Sequence, residues 1–251
     1  MTTGHNLIKQ LKGHSGSEVY LKEWPGGGHY VEKIGNTNRN LERMTRLQEM
    51  GYRVPKIYQA EDDRLLMEYI HGLDMKNYLI HNSVGRLFDF ISQTIDDFSG
   101  DSEMKDYTEI YQTKLAWLDN TNDMPFSKYE LIEKLPKILP QSTYHGDFTL
   151  ENILYTDPGF CMIDPVTTEY DSYVFDLAKL RQDVVCKWFL RNSNVKLDTK
   201  LEILQSKLNH TYKQDIDDNL LILMLLRVIQ YCKQGDNNYN FLMKEILRLW
   251  K

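Results

Sequence analysis

A chain of 251 residues, 41% of them hydrophobic and 26% charged, is long enough for one large domain or two lobes and has the composition of an ordinary globular protein. Its net charge of −6, with no long basic run, argues against nucleic-acid backbone binding as the main activity. The three cysteines, Cys161, Cys186 and Cys232, share no metal-ligand spacing, and neither a signal peptide nor a membrane-length apolar run is visible, so a cytoplasmic protein without a membrane partner is expected.

The first seventy residues read mostly as short strands. Residues 7–11 and 18–22 flank a Gly/Ser loop, Gly13-His14-Ser15-Gly16-Ser17, and Pro25-Gly26-Gly27-Gly28 turns the chain into a returning strand over 29–34. Leu41, Met44 and Leu47 recur at near-helical spacing, with Asn38 or Asn40 as the N-cap and Gly51 as the stop. Strands follow over 56–59 and 64–70, joined by a turn at Asp62-Asp63, and His71-Gly72 breaks the pattern.

Beyond that break the periodicity is helical. Val84, Leu87, Phe88, Ile91, Ile95 and Phe98 form one apolar stripe, and Tyr107, Ile110, Tyr111, Leu115 and Leu118 another. A third helix ends before Pro136, and further helices are expected over 174–190, 201–208, 216–232 and 241–250. The layout is α+β: a strand-rich lobe over 1–70, a hinge near residue 70, and a larger helical lobe over 71–251.

The helical part is interrupted by His145-Gly146-Asp147-Phe148-Thr149-Leu150-Glu151-Asn152, a short apolar strand, a turn at Asp157-Pro158-Gly159, and a second strand ending at Ile163-Asp164. An Asp beside a Gly is ordinarily turn or cap chemistry. Here, however, Asn152 opens one strand of a predicted hairpin and Asp164 closes the other, so both polar groups fall at one edge. Phosphoryl transfer from a nucleotide needs such a set: a carboxylate to accept the hydroxyl proton, and an amide oxygen and a second carboxylate to hold magnesium on the phosphates.

On these residues the chain resembles the aminoglycoside phosphotransferase and choline kinase family, a branch of the bilobal protein-kinase-like fold, from about residue 7 to about residue 180. The resemblance implies Asp147 as catalytic base, Asn152 and Asp164 as Mg2+ ligands, and ATP or GTP as donor. It also implies a phosphate loop at Ser15, Gly16 and Ser17, and Lys33 on the α- and β-phosphates, paired with Glu42 on the following helix. Lys22 is the competitor for that role. The carbonyl of Glu68 and the N–H of Ile70 would meet the adenine edge. Asp176 is read as a residue that caps or orients the helix after the hairpin. Glu169 and Asp171, soon after Asp164, are either acceptor-binding groups or a solvated loop.

The acceptor implied is the hydroxyl of a small molecule: a sugar, an aminoglycoside or an amino alcohol. A protein kinase is the alternative. Against it, Thr149 stands where protein-serine kinases usually carry a lysine, and only eleven residues separate Asp164 from Asp176, with no Asp-Phe-Gly or Ala-Pro-Glu. A nucleotide-binding module without catalysis would lack the base or a metal ligand, and none of the three is missing.

Overall fold

The computed structural model describes residues 6–11, 17–100, 102–121, 123–157 and 159–251. In chain order its elements are β1 (Asn6–Leu11), β2 (Glu18–Glu23), β3 (His29–Ile34), α1 (Asn38–Glu49), β4 (Ile57–Glu61), β5 (Arg64–Glu68), β6 (Leu73–Asp74), α2 (Met75–His81), α3 (Gly85–Ser99) and β7 (Glu103–Asp106). There follow α4 (Thr108–Lys114), α5 (Lys128–Lys134), β8 (Ile138–Gln141), β9 (Ile153–Thr156), β10 (Gly159–Met162), α6 (Tyr173–Val184), α7 (Asp198–Thr211), α8 (Asp218–Ile229) and α9 (Asn237–Leu249).

The chain divides into two compact units. One comprises Met1–Met75 with Asn152–Thr168, the other Lys76–Glu151 with Glu169–Lys251, so the hairpin that closes the motif folds with the strand-rich unit. In that first unit an antiparallel sheet runs β1-β2-β3-β5-β4. Lys33 of β3 pairs in register with Val19 of β2 and Leu65 of β5, which places it on a central strand. Helix α1 buries Met44 and Leu47. Its N-cap is Thr37, without a side-chain cap bond, and not Asn38 or Asn40 as the sequence suggested. A second sheet of order β10-β9-β6 includes a strand that periodicity could not show. Gly72 permits its approach: a Cβ there would lie 2.9 Å from the Tyr155 carbonyl oxygen.

The second unit is mainly helical, with a β7–β8 ladder that the helical reading of this region did not anticipate. Its core joins Tyr107, Tyr111, Phe175, Leu220 to Leu226, Leu242 and Ile246. The helix expected over 174–190 ends at Val184, because Lys187 adopts a left-handed φ of 59° before a 3-10 turn at Trp188–Leu190. The stripe ending at Leu118 likewise splits into α4 and a 3-10 turn at Ala116–Asn120. Among the described residues no helix is long and apolar enough to cross a membrane.

Candidate active site

The loop carrying Asp147 lies in the second unit and is held by one face of α6. Gly146 adopts a φ of 88°, a conformation that favours glycine, and this turn lets Phe148 bury completely. Ser172 caps α6 by accepting the Val174 N–H at 3.2 Å. Asp176, Lys179 and Asp183 follow at positions that share a helix face. The Asp176 carboxylate accepts the N–H of His145, and that of Gly146 at 2.9 Å. The Asp183 carboxylate accepts the Leu150 N–H at 2.7 Å. Between them, Lys179 Nζ lies 3.2 Å from Asp147 Oδ1 and 3.3 Å from Gln182 Oε1. Asp176 thus orients the loop, while the cap belongs to Ser172.

The electrostatics of the loop separate its carboxyls. For Asp147, burial pushes the carboxyl up, but Lys179, Arg227 and His145 together outweigh it and hold the group below the ordinary aspartate value. For Asp176, burial dominates and pushes the carboxyl up to about 7, against the two backbone N–H groups it accepts. Arg227, from α8, donates to the Gly146 carbonyl at 3.3 Å, and its guanidinium lies 5.0 Å from the centre of the Tyr170 ring.

In the first unit the β9–β10 hairpin carries the other two motif residues. Met162 pairs with Ile153, and the Ile163 N–H donates to the Asn152 carbonyl at 2.9 Å, so Asn152 and Asp164 stand at the open end of the ladder. Asp164 has a φ of 54°, an uncommon conformation for a residue with a side chain and one that Asp tolerates better than most. Lys33 Nζ donates to Asp164 Oδ1 at 2.5 Å, and Asn40 Nδ2 donates to the same oxygen at 2.9 Å and to the Pro165 carbonyl at 2.7 Å.

This corrects the expected Lys33–Glu42 pair. Glu42 is exposed and accepts the Thr167 hydroxyl at 2.9 Å, while the buried Lys33 turns to Asp164. Asn40, read as a helix cap, instead bonds the Asp164 carboxylate, a contact that the sequence reading missed. Lys22 is engaged by Glu32, whose other oxygen takes Arg64 at 2.6 Å, which leaves Lys33 as the strand lysine beside Asp164.

The remaining candidates fare differently. Ser15 and Gly16 lie outside the described residues. Ser17 is half-buried, and its Oγ would lie 3.0 Å from a Cβ at Gly35. Glu68 ends β5, and Ile70 is buried just beyond the strand. Glu169 forms an exposed pair with Lys114. Asp171 accepts Lys105 Nζ on both oxygens at 2.8 Å, the Tyr107 hydroxyl at 2.9 Å and the Gln141 amide at 2.6 Å. A carboxylate offers about four acceptor positions, so these contacts spend Asp171 within the protein, where it braces the β7–β8 ladder.

No group of three or more His, Cys, Asp or Glu converges on a metal position among the described residues. A magnesium ion bound with a nucleotide needs only one or two protein ligands, the rest being water and phosphate oxygens. Asn152 and Asp164 suit that demand. They offer a hard amide oxygen and a hard carboxylate; Lys33 and Asn40 both bond Oδ1 of the Asp164 carboxylate, and its side chain is 47% exposed.

The element order and sheet topology are those of an α+β kinase-like fold. Solved structures share it over nearly their whole length: the choline kinase LicA from Streptococcus pneumoniae (16% identity, 98% of this chain and 93% of that one, TM-score 0.58) and a choline kinase from Cryptosporidium parvum Iowa II (12%, 98% and 88%, 0.58). The amicoumacin kinase hAmiN, solved with AMP-PNP, Ca2+ and Ami, is another (14%, 99% and 88%, 0.56). At such identities the likeness speaks for the fold. No curated protein matches the chain. The model of the phosphotransferase enzyme family, APH, matches residues 7–199, and the chain belongs to that family.

Proposed function

We propose that the protein is a small-molecule kinase that moves the γ-phosphoryl group of ATP or GTP to a hydroxyl of a sugar, an aminoglycoside or an amino alcohol. The observation that carries this reading is the loop aspartate lying 3.2 Å from the ammonium of the buried Lys179. In the proposed reaction Asp147 orients the acceptor O–H and takes its proton as the new O–P bond forms. The bond from the γ-phosphorus to its bridging oxygen breaks, and the nucleoside diphosphate leaves. A carboxylate with a lowered pKa is a weak base, so its main contribution is to orient the hydroxyl. Lys33 would meet the donor phosphates, and Glu68 and Ile70 would offer backbone groups to the base.

Asn152 and Asp164 would hold Mg2+. The ion, when bound, neutralises charge on the phosphate oxygens. The amicoumacin kinase bound to AMP-PNP and Ca2+ supports a nucleotide donor with a divalent cation. The choline kinases, and a glucosamine kinase of the same fold, support a small acceptor that bears both a hydroxyl and an amine or quaternary ammonium group. The acidity of the chain agrees with such an acceptor.

The test is turnover of ATP and of GTP with Mg2+ against sugars, aminoglycosides, choline, ethanolamine and nucleosides. Release of nucleoside diphosphate and the phosphorylated product are both followed. One acceptor class is expected to drive release, and Asp147→Asn is expected to lower kcat by at least about a hundredfold. Release that ignores every acceptor would contradict the reading.

A further inference from the structure

We propose that Lys179 is the positioning residue of this site: from α6 it supplies the cation that the catalytic loop itself lacks, and so holds Asp147 ionised and in one orientation. The inference rests on Asp147 being the base of the proposed reaction. Residues 146–151, Gly-Asp-Phe-Thr-Leu-Glu, contain no Lys or Arg, and Thr149 stands two residues after Asp147 where a loop-borne lysine would otherwise be expected. Thr149 is itself buried and carries no charge.

Lys179 is 6% exposed, in a helix whose residues from Val174 to Val184 are all buried. An ammonium in such a place carries a heavy desolvation cost unless it is paired and hydrogen-bonded. A leucine would fill the position without that cost. The ammonium is explained by its two contacts. The Gln182 amide oxygen at 3.3 Å fixes Nζ, and Asp147 Oδ1 at 3.2 Å receives its charge.

The other charged groups facing Asp147 act differently. Arg227, from α8, is committed to the Gly146 carbonyl and lies against Tyr170. His145 lies two residues away on the loop. Asp176, also on α6, is engaged by two backbone N–H groups, and the charges of Asp176 and Asp147 repel. Asp183, about two turns further along α6, takes the Leu150 N–H. Lys179 is thus a cation in direct contact with the carboxylate, and its removal takes away the foremost charge that opposes burial, ahead of Arg227 and His145.

The test is a carboxyl-carbon NMR titration of the full chain labelled at Asp, with the Asp147 signal assigned by its loss in Asp147→Asn. The parent midpoint is expected below the ordinary aspartate value. Lys179→Gln is expected to move it up by at least about one pH unit, as removal of an opposite charge at this range should. Lys179→Arg, which keeps the charge, is expected to hold it near the parent. With an acceptor in hand, the acid limb of the kcat profile should move by the same amount in Lys179→Gln while the nucleotide KM stays put.

An unmoved Asp147 midpoint in folded Lys179→Gln would overturn the proposal. If that variant does not fold, a parent midpoint at or above the ordinary value overturns it equally. The titration is independent of turnover, so failure of the kinase reading and failure of the Lys179 pair give different results.

Discussion

Asp183 is fully buried, and among the described residues its Oδ1 meets no hydrogen-bond partner. Burial pushes its carboxyl up to about 8, and nearby Glu151 adds to the effect, against the Leu150 N–H, Lys179 and Arg191. An unfolded aspartate titrates near 4. Between those values the folded chain holds this proton and the unfolded chain has released it. The contribution of Asp183 to stability is thus fully present below about pH 4 and is lost as pH rises through about 8. Asp183→Asn keeps an acceptor for the Leu150 N–H but cannot ionise. Its stability relative to the parent should rise between about pH 5 and about pH 8.5 in urea unfolding, and an unchanging difference would contradict the assignment. The hairpin placing Asn152 and Asp164 at its open end was legible because the two residues flank short apolar strands joined by a turn. Asn40 was not, since it reaches Asp164 across 124 residues. Lys179 and Asp183 did leave a signal: together with Asp176 they place charges on one face of a helix that is otherwise mostly apolar.

At the scale of elements, β6 is held where Gly72 lets the chain pass close to β9. Gly72→Ala would set a Cβ 2.9 Å from the Tyr155 carbonyl and 3.1 Å from Thr156 Cγ2, both on a paired strand with little freedom to yield. The expected loss is about 1–3 kcal/mol, read from the denaturation midpoint; an unshifted midpoint would show that the strand moves away freely. The long amphipathic helices and the hairpins of the first sheet were readable because their periods repeat several times. Strand β6 has two residues, too few to carry a period. Strands β7 and β8 pair across a long separation that alternation cannot report. The early end of α6 arises from the left-handed Lys187, and lysine gives no breaker signal.

For the whole molecule, the family match stops at residue 199, yet α8 and α9 complete the core of the second unit, and Arg227 of α8 reaches the Gly146 carbonyl. These helices are therefore part of the folded enzyme's frame. Leu223 is fully buried in α8, and Leu223→Ala should cost about 2–5 kcal/mol, seen as a lower Tm without a changed nucleotide KM. The central claim, that the loop aspartate serves transfer and not nucleotide binding, is met most directly by one paired measurement on Asp147→Asn. Calorimetric titration with Mg2+ and a non-hydrolysable ATP analogue is set beside acceptor-dependent nucleoside diphosphate release. The account predicts a Kd close to that of the parent and a turnover lower by at least about a hundredfold. Turnover equal to the parent's would contradict it.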